Sequence, residues 1–228
     1  MSPLPIIFLS CKVFHGMLEK HIPENLEITI DFLDYGLHAV PKNLTEAVQE
    51  SIDKIEEPSL ILLGYGLCGN GLNNIRSGKH TLIIPKTDDC IAIFMGSREK
   101  YLQVFSENPR TYYLTKGWLE SGSDPLNEYE QSLAKYGKET AEWIIDQQYQ
   151  HYKRLVFIAH TQEDIDEHRE RALKVAKYCQ RWGMEYQEML GSDSFLHQLA
   201  KIAANPEQIS NQFILVLPHE ILTQEQFR

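Results

Sequence analysis

Short runs of apolar residues recur along this chain and alternate with stretches of helical periodicity, and this rhythm narrows the fold more than any other feature. Pro5–Ser10, the SLILLG run and Thr81–Ile84 are almost wholly aliphatic, as are Leu155–Ala159 and Phe213–Leu217. Leu26–Leu33 and Glu185–Leu190 alternate apolar and polar residues for part of their length. Continuous Val/Ile/Leu runs suit strands covered on both faces, and intervening amphipathic helices supply the cover. The expected fold is therefore α/β, Rossmann-like and doubly wound, with a mainly parallel sheet and a helix-rich middle segment.

Several helices carry their own signals. A helix is expected over Val13–Lys20, and another over Leu44–Ile55, capped by Asn43 with Glu46 at the capping-box position. Ile91–Met95 reads as a short strand or the opening of a helix, and Ser97 caps a helix through Phe105. Asp124-Pro125 has the cap-then-proline form of a helix start, and helical pattern continues to about Tyr152 with an interruption at Gly137. Further helices fall at Gln162–Trp182 and Phe195–Ala203. A single α/β domain over residues 1–228 fits this order, as do two lobes with a boundary near 124–137.

Three of the four cysteines follow expected strands: Cys11 after the first, Cys68 after the third and Cys90 after the fourth. In an open parallel sheet the carboxyl ends lie along one edge, where ligands bind, so these thiols are expected to meet there. Buried cysteines also serve as small hydrophobes, which is the expectation for Cys179 inside a long helix near Trp182. Three thiolates form a soft donor set suited to zinc or an iron–sulfur cluster, although the compact spacing of cluster-binding motifs is missing.

The segment between Gly64 and Gly71 holds four glycines and Cys68. Glycine permits positive φ and close backbone approach, so Gly66, Gly69, Asn70 and Gly71 are candidate substrate contacts; a tight turn is the alternative. The spacing matches neither the dinucleotide fingerprint nor the Walker phosphate loop. Asp88 and Asp89 precede Cys90, where Asp89 is the candidate catalytic carboxylate and Asp88 a candidate helix cap. Negative charge there raises the Cys90 pKa unless a cation compensates, which favours metal coordination over a bare thiolate nucleophile. Ser192, in Gly191-Ser192-Asp193-Ser194, is a candidate substrate contact at a helix start. His38, His160, Asp193 and His219 also follow expected strands, and Trp118 is a candidate lid or core residue.

The formal net charge of −10 provides no broad basic footprint for nucleic acid, which leaves small molecules or other proteins as the expected partners. No stretch approaches the ~20 apolar residues of a membrane span, and four widely spaced cysteines suit reduced thiols, so a cytoplasmic location is expected.

The motifs GYGLCGNG, PKTDDCIAIFMGSREKY and TYYLTKGWLESG, in this order, resemble those of domain of unknown function 1638, an uncharacterised bacterial and archaeal family. In that family a histidine commonly stands at the position of Asp88, so the resemblance supports no extra imidazole ligand here. The resemblance implies a setting among accessory proteins of corrinoid-dependent methyl transfer in one-carbon metabolism, with corrinoid or a methyltransferase protein as partner. The leading expectation is a metal-dependent small-molecule enzyme, for methyl or other group transfer, with zinc on Cys11, Cys68 and Cys90. A non-catalytic metal- or corrinoid-handling protein and an iron–sulfur enzyme are the alternatives.

Overall fold

A computed structural model describes residues 4–228. The chain forms two compact units, Met1–Lys100 with Ser192–Arg228, and Tyr101–Gly191. In chain order the first unit contributes β1 (Ile6–Cys11), β2 (Ile28–Leu33), α1 (Pro41–Asp53), β3 (Leu60–Gly64), β4 (Ile75–Arg76), β5 (Thr81–Pro85) and α2 (Cys90–Met95). Helix α3 (Arg98–Glu107) crosses the chain junction. The second unit holds β6 (Thr111–Leu114), α4 (Lys116–Ser121), α5 (Pro125–Tyr136), α6 (Lys138–Tyr149), β7 (Arg154–Ala159), α7 (Gln162–Cys179) and β8 (Glu185–Leu190). The chain then returns to the first unit with α8 (Ser194–Ala204), β9 (Phe213–Val216) and β10 (Ile221–Leu222).

The central sheet has the order β2-β1-β3-β5-β9 and is flanked by helices, a Rossmann-like α/β architecture. The first four strands are parallel, and β9 closes one edge antiparallel to β5, pairing Leu82 with Val216. Strand β3 is buried at every position, as a strand covered on both faces must be. Helix α1 places Leu44, Val48 and Ile52 in the core at four-residue spacing. A small antiparallel ribbon of β4 and β10 accompanies the sheet.

Several local expectations are corrected. The helix expected over Val13–Lys20 is instead two 3-10 turns, Lys12–Phe14 and Glu19–His21, with Gly16 between them at φ +76°. Helix α1 begins at Pro41 rather than at an Asn43 cap, because proline's fixed φ suits the first helical position. Ile91–Met95 is helical, and Asp89 rather than Asp88 caps it.

The second unit has its own parallel sheet, β6-β7-β8. Its core gathers Leu114, Ile145, Leu155, Phe157, Ile165, Val175, Cys179 and Trp182. Asp124 accepts hydrogen bonds from the N–H groups of Leu126 and Asn127 and so caps α5, while Gly137 at φ +77° separates α5 from α6. The segment 124–137 thus lies inside the second unit. Among the described residues, no helix is long and apolar enough to cross a membrane.

Candidate functional site

The order of the central sheet marks one place for a ligand. From β1 the chain moves outward to β2, then returns across β1 to form β3 on its other side. Beyond the carboxyl ends of β1 and β3 the connections diverge, leaving the crevice where open α/β sheets bind ligands. Cys11 ends β1; Ser10 pairs with Gly64, so Tyr65 follows at the level of Cys11. The neighbouring parallel strand β5 leads to Asp89 and Cys90 at the start of α2.

Close backbone packing brings the cysteine loops together. A Cβ on Gly64 would lie 2.1 Å from Ser10 Oγ, so glycine lets β1 and β3 meet at their ends. A Cβ on Gly66 would stand 2.7 Å from Thr87 Oγ1 and 2.8 Å from the Asp89 backbone. The Leu67 and Cys68 N–H groups donate to the carbonyls of Thr87 and Asp88, each at 2.9 Å. These bonds hold Cys68 alongside the segment that carries Cys90. Gly71 meets helix α1, where a Cβ would be 2.5 Å from Leu44 Cδ2. Packing therefore accounts for Gly66 and Gly71 as glycines.

Cys68, Gly69 and Asn70 take φ values of +48°, +63° and +73° in succession. Left-handed backbone is uncommon for residues other than glycine and costs roughly 1–2 kcal/mol each. Gly69 and Asn70 are exposed at the tip of this turn, whose Gly71 N–H donates to the Cys68 carbonyl at 3.1 Å. They remain open to a ligand, whereas Gly66 and Gly71 are buried.

The three thiols lie within electrostatic reach of one another. Burial pushes the Cys11 thiol up to about 11, and Asp34 adds to the rise. Burial raises Cys68, reinforced by Asp89 and Cys11; Cys90 is raised by burial and then by Cys68, Asp89 and Cys11. All three are thus protonated at neutral pH in the chain as it stands. Among the described residues, no group of three or more His, Cys, Asp or Glu side chains is already gathered to hold a metal ion.

Asp89 accepts hydrogen bonds from the Ile91 and Ala92 N–H groups at 2.9 and 3.4 Å, so its carboxylate fixes the start of α2. Ser192 lies at the other end of that helix. Its N–H donates to the Phe94 carbonyl at 2.8 Å, and a Cβ on Gly96 would be 2.6 Å from Ser192 Cβ. A helix of six residues spans about 9 Å, which separates Ser192 from Cys90 along the chain axis of α2.

The other candidates are dispersed. His38 lies in the 3-10 turn Tyr35–Ala39, where burial lowers its pKa. His219 has φ +69° and its N–H donates to the Gly78 carbonyl at 2.6 Å. Asp193 pairs with His21 at 3.1 Å. His160 and Cys179 belong to the second unit, as does Trp118, which packs against that unit's core.

Tyr65 is the site residue that sequence reasoning missed. It is only 3% exposed, and its hydroxyl has no hydrogen-bond partner among the described residues. Burial raises its pKa, and the charges that raise it further belong to Cys11, Cys68, Asp31 and Cys90. The hydroxyl is thus within electrostatic reach of the three thiols, with its hydrogen-bonding capacity unused among the described residues. An aromatic residue between two glycines just beyond an aliphatic strand was its one sequence signal.

The model of a family described as protein of unknown function, DUF1638, matches residues 32–200. The match takes in Cys68, Asp89 and Cys90 and leaves Cys11 outside. No curated protein and no solved structure matches the chain.

Proposed function

The chain belongs to the DUF1638 family, and on that premise we propose that its first unit is a metal-dependent small-molecule enzyme of group transfer built on Cys11, Cys68 and Cys90. What supports this reading is that three cysteines within electrostatic reach of one another, and a buried tyrosine hydroxyl, end or follow the adjacent parallel strands β1, β3 and β5. The donor set is soft, as zinc requires. The negative surroundings that disfavour three free thiolates would favour a bound cation.

Closing the thiols onto an ion needs side-chain torsions: one χ1 step moves a cysteine sulfur by roughly 3 Å. Cys11, Cys68 and Cys90 would hold the ion, and zinc there would supply a lowered pKa to a bound thiol or water. Asp89 acts as a positioning residue, since its carboxylate sets the N-terminus of α2 and with it the backbone of Cys90. Gly69 and Asn70 would meet the substrate at the exposed turn, and the family's resemblance to accessory proteins of corrinoid-dependent methyl transfer makes methyl the group to be moved, to a thiol whose pKa a zinc ion would lower. A cytoplasmic setting keeps such thiols reduced.

A second reading, metal or corrinoid handling without catalysis, draws support from Asp89, whose carboxylate is engaged as a helix cap instead of facing proton transfer. Protein purified without oxygen and analysed for metals separates these readings. Close to one zinc per chain without colour supports the enzyme; bound corrinoid supports the second reading, and a broad brown absorbance indicates an iron–sulfur centre. Cys90→Ser should lower zinc content strongly while Cys179→Ser leaves it unchanged. Full zinc content in Cys90→Ser overturns the three-thiol site.

A further inference from the structure

The buried hydroxyl of Tyr65 has no partner among the described residues, although an isolated buried hydroxyl is costly and is normally satisfied. The strand register puts Tyr65 at the level of Cys11, beyond the carboxyl ends of β1 and β3 where the sheet's connections diverge, and within electrostatic reach of all three cysteines. The carboxylates acting on the thiols and on Tyr65 are Asp31, Asp34 and Asp89. The nearby cations are engaged elsewhere: Lys12 lies 5.7 Å above the Tyr35 ring, and Arg98 pairs with Asp88 at 3.5 Å.

We infer that Tyr65 is a specificity-determining residue that donates a hydrogen bond to an uncharged or cationic small molecule seated over the three thiols, and that the site rejects anions. The inference rests on the three-thiol reading and adds the class of ligand to it. A ligand acceptor atom fills the hydrogen-bonding capacity left open at the Tyr65 hydroxyl. The carboxylates around the thiols repel a carboxylate or phosphate and tolerate a neutral group or an ammonium.

The test uses three thiols of similar size: 2-mercaptoethanol is neutral, cysteamine cationic and mercaptoacetate anionic. Each is titrated without oxygen into the full chain loaded with Co²⁺, and the visible spectrum is followed. The expected result is tighter binding of 2-mercaptoethanol and cysteamine than of mercaptoacetate. Tyr65→Phe should weaken 2-mercaptoethanol about tenfold, the scale of one buried hydrogen bond, with cobalt content unchanged. Equal binding by Tyr65→Phe, or preference for mercaptoacetate, overturns the inference. If the wild-type chain takes up no cobalt, the metal reading fails; thermal shifts of the metal-free chain with the same thiols then decide the role of Tyr65. Identical shifts in wild type and Tyr65→Phe would reject it.

Discussion

The Tyr65 hydroxyl should cost the ligand-free protein stability, because burial removes its water partners and none of the described residues replaces them. Tyr65→Phe is therefore expected to raise ligand-free stability by about 1 kcal/mol in chemical denaturation; a loss of similar size would mean that the hydroxyl is satisfied. Cys179 offers an effect independent of the site. Burial in the second unit's core pushes its pKa from an ordinary 9.0 up to about 12. Above pH 9 the unfolded chain releases this proton while the folded chain keeps it, so the unfolded state gains. The thiol's contribution is intact below pH 9 and is lost as pH rises toward 12. The stability gap between wild type and Cys179→Ala should narrow by up to about 1.4 kcal/mol per pH unit in that window, followed by urea melts. A constant gap would show that the thiol ionises in the folded core.

Among the elements, the loop from Gly64 to Gly71 separates packing from ligand access. Gly66→Ala should destabilise by about 1–3 kcal/mol, because its Cβ would enter the Thr87–Asp89 backbone segment. A Cβ on Gly69 would make only an ordinary contact, 3.8 Å from Pro41 Cγ, but φ is +63°, so Gly69→Ala should cost only about 1 kcal/mol. Denaturation of the two variants side by side checks the order; a larger loss at Gly69 would reverse this account of the loop. The strands that build the site were legible because β1, β3 and β5 are aliphatic runs with no helical competitor. That Cys11, Cys68 and Cys90 come at or after the ends of these strands was legible from their order in the chain. Tyr65 was not legible, since a hydroxyl's missing partner is a property of the folded surroundings. Strand β6 was hidden because Thr-Tyr-Tyr-Leu presents aromatics that equally suit a lid or core. The antiparallel direction of β9 leaves no mark in local pattern, and Gly16 divided what apolar spacing had joined into one helix.

For the whole molecule, the main consequence is that the second unit interrupts the first in sequence. Tyr101–Gly191 is continuous and owns both a sheet and a core, so that segment produced alone should show a cooperative thermal transition by circular dichroism. A featureless melt would mean that it relies on the rest of the chain. The same arrangement bears on how the protein is made. Strand β5 leaves the ribosome long before β9, its antiparallel neighbour, because all of Tyr101–Gly191 is translated between them. At usual elongation rates the delay is roughly 6–26 s. During that time the aliphatic Thr81–Pro85 strand lacks the partner that closes the sheet, a ready template for pairing with another nascent chain. Fast translation or chaperone cover between these two strands should therefore govern how much of the newly made protein escapes aggregation.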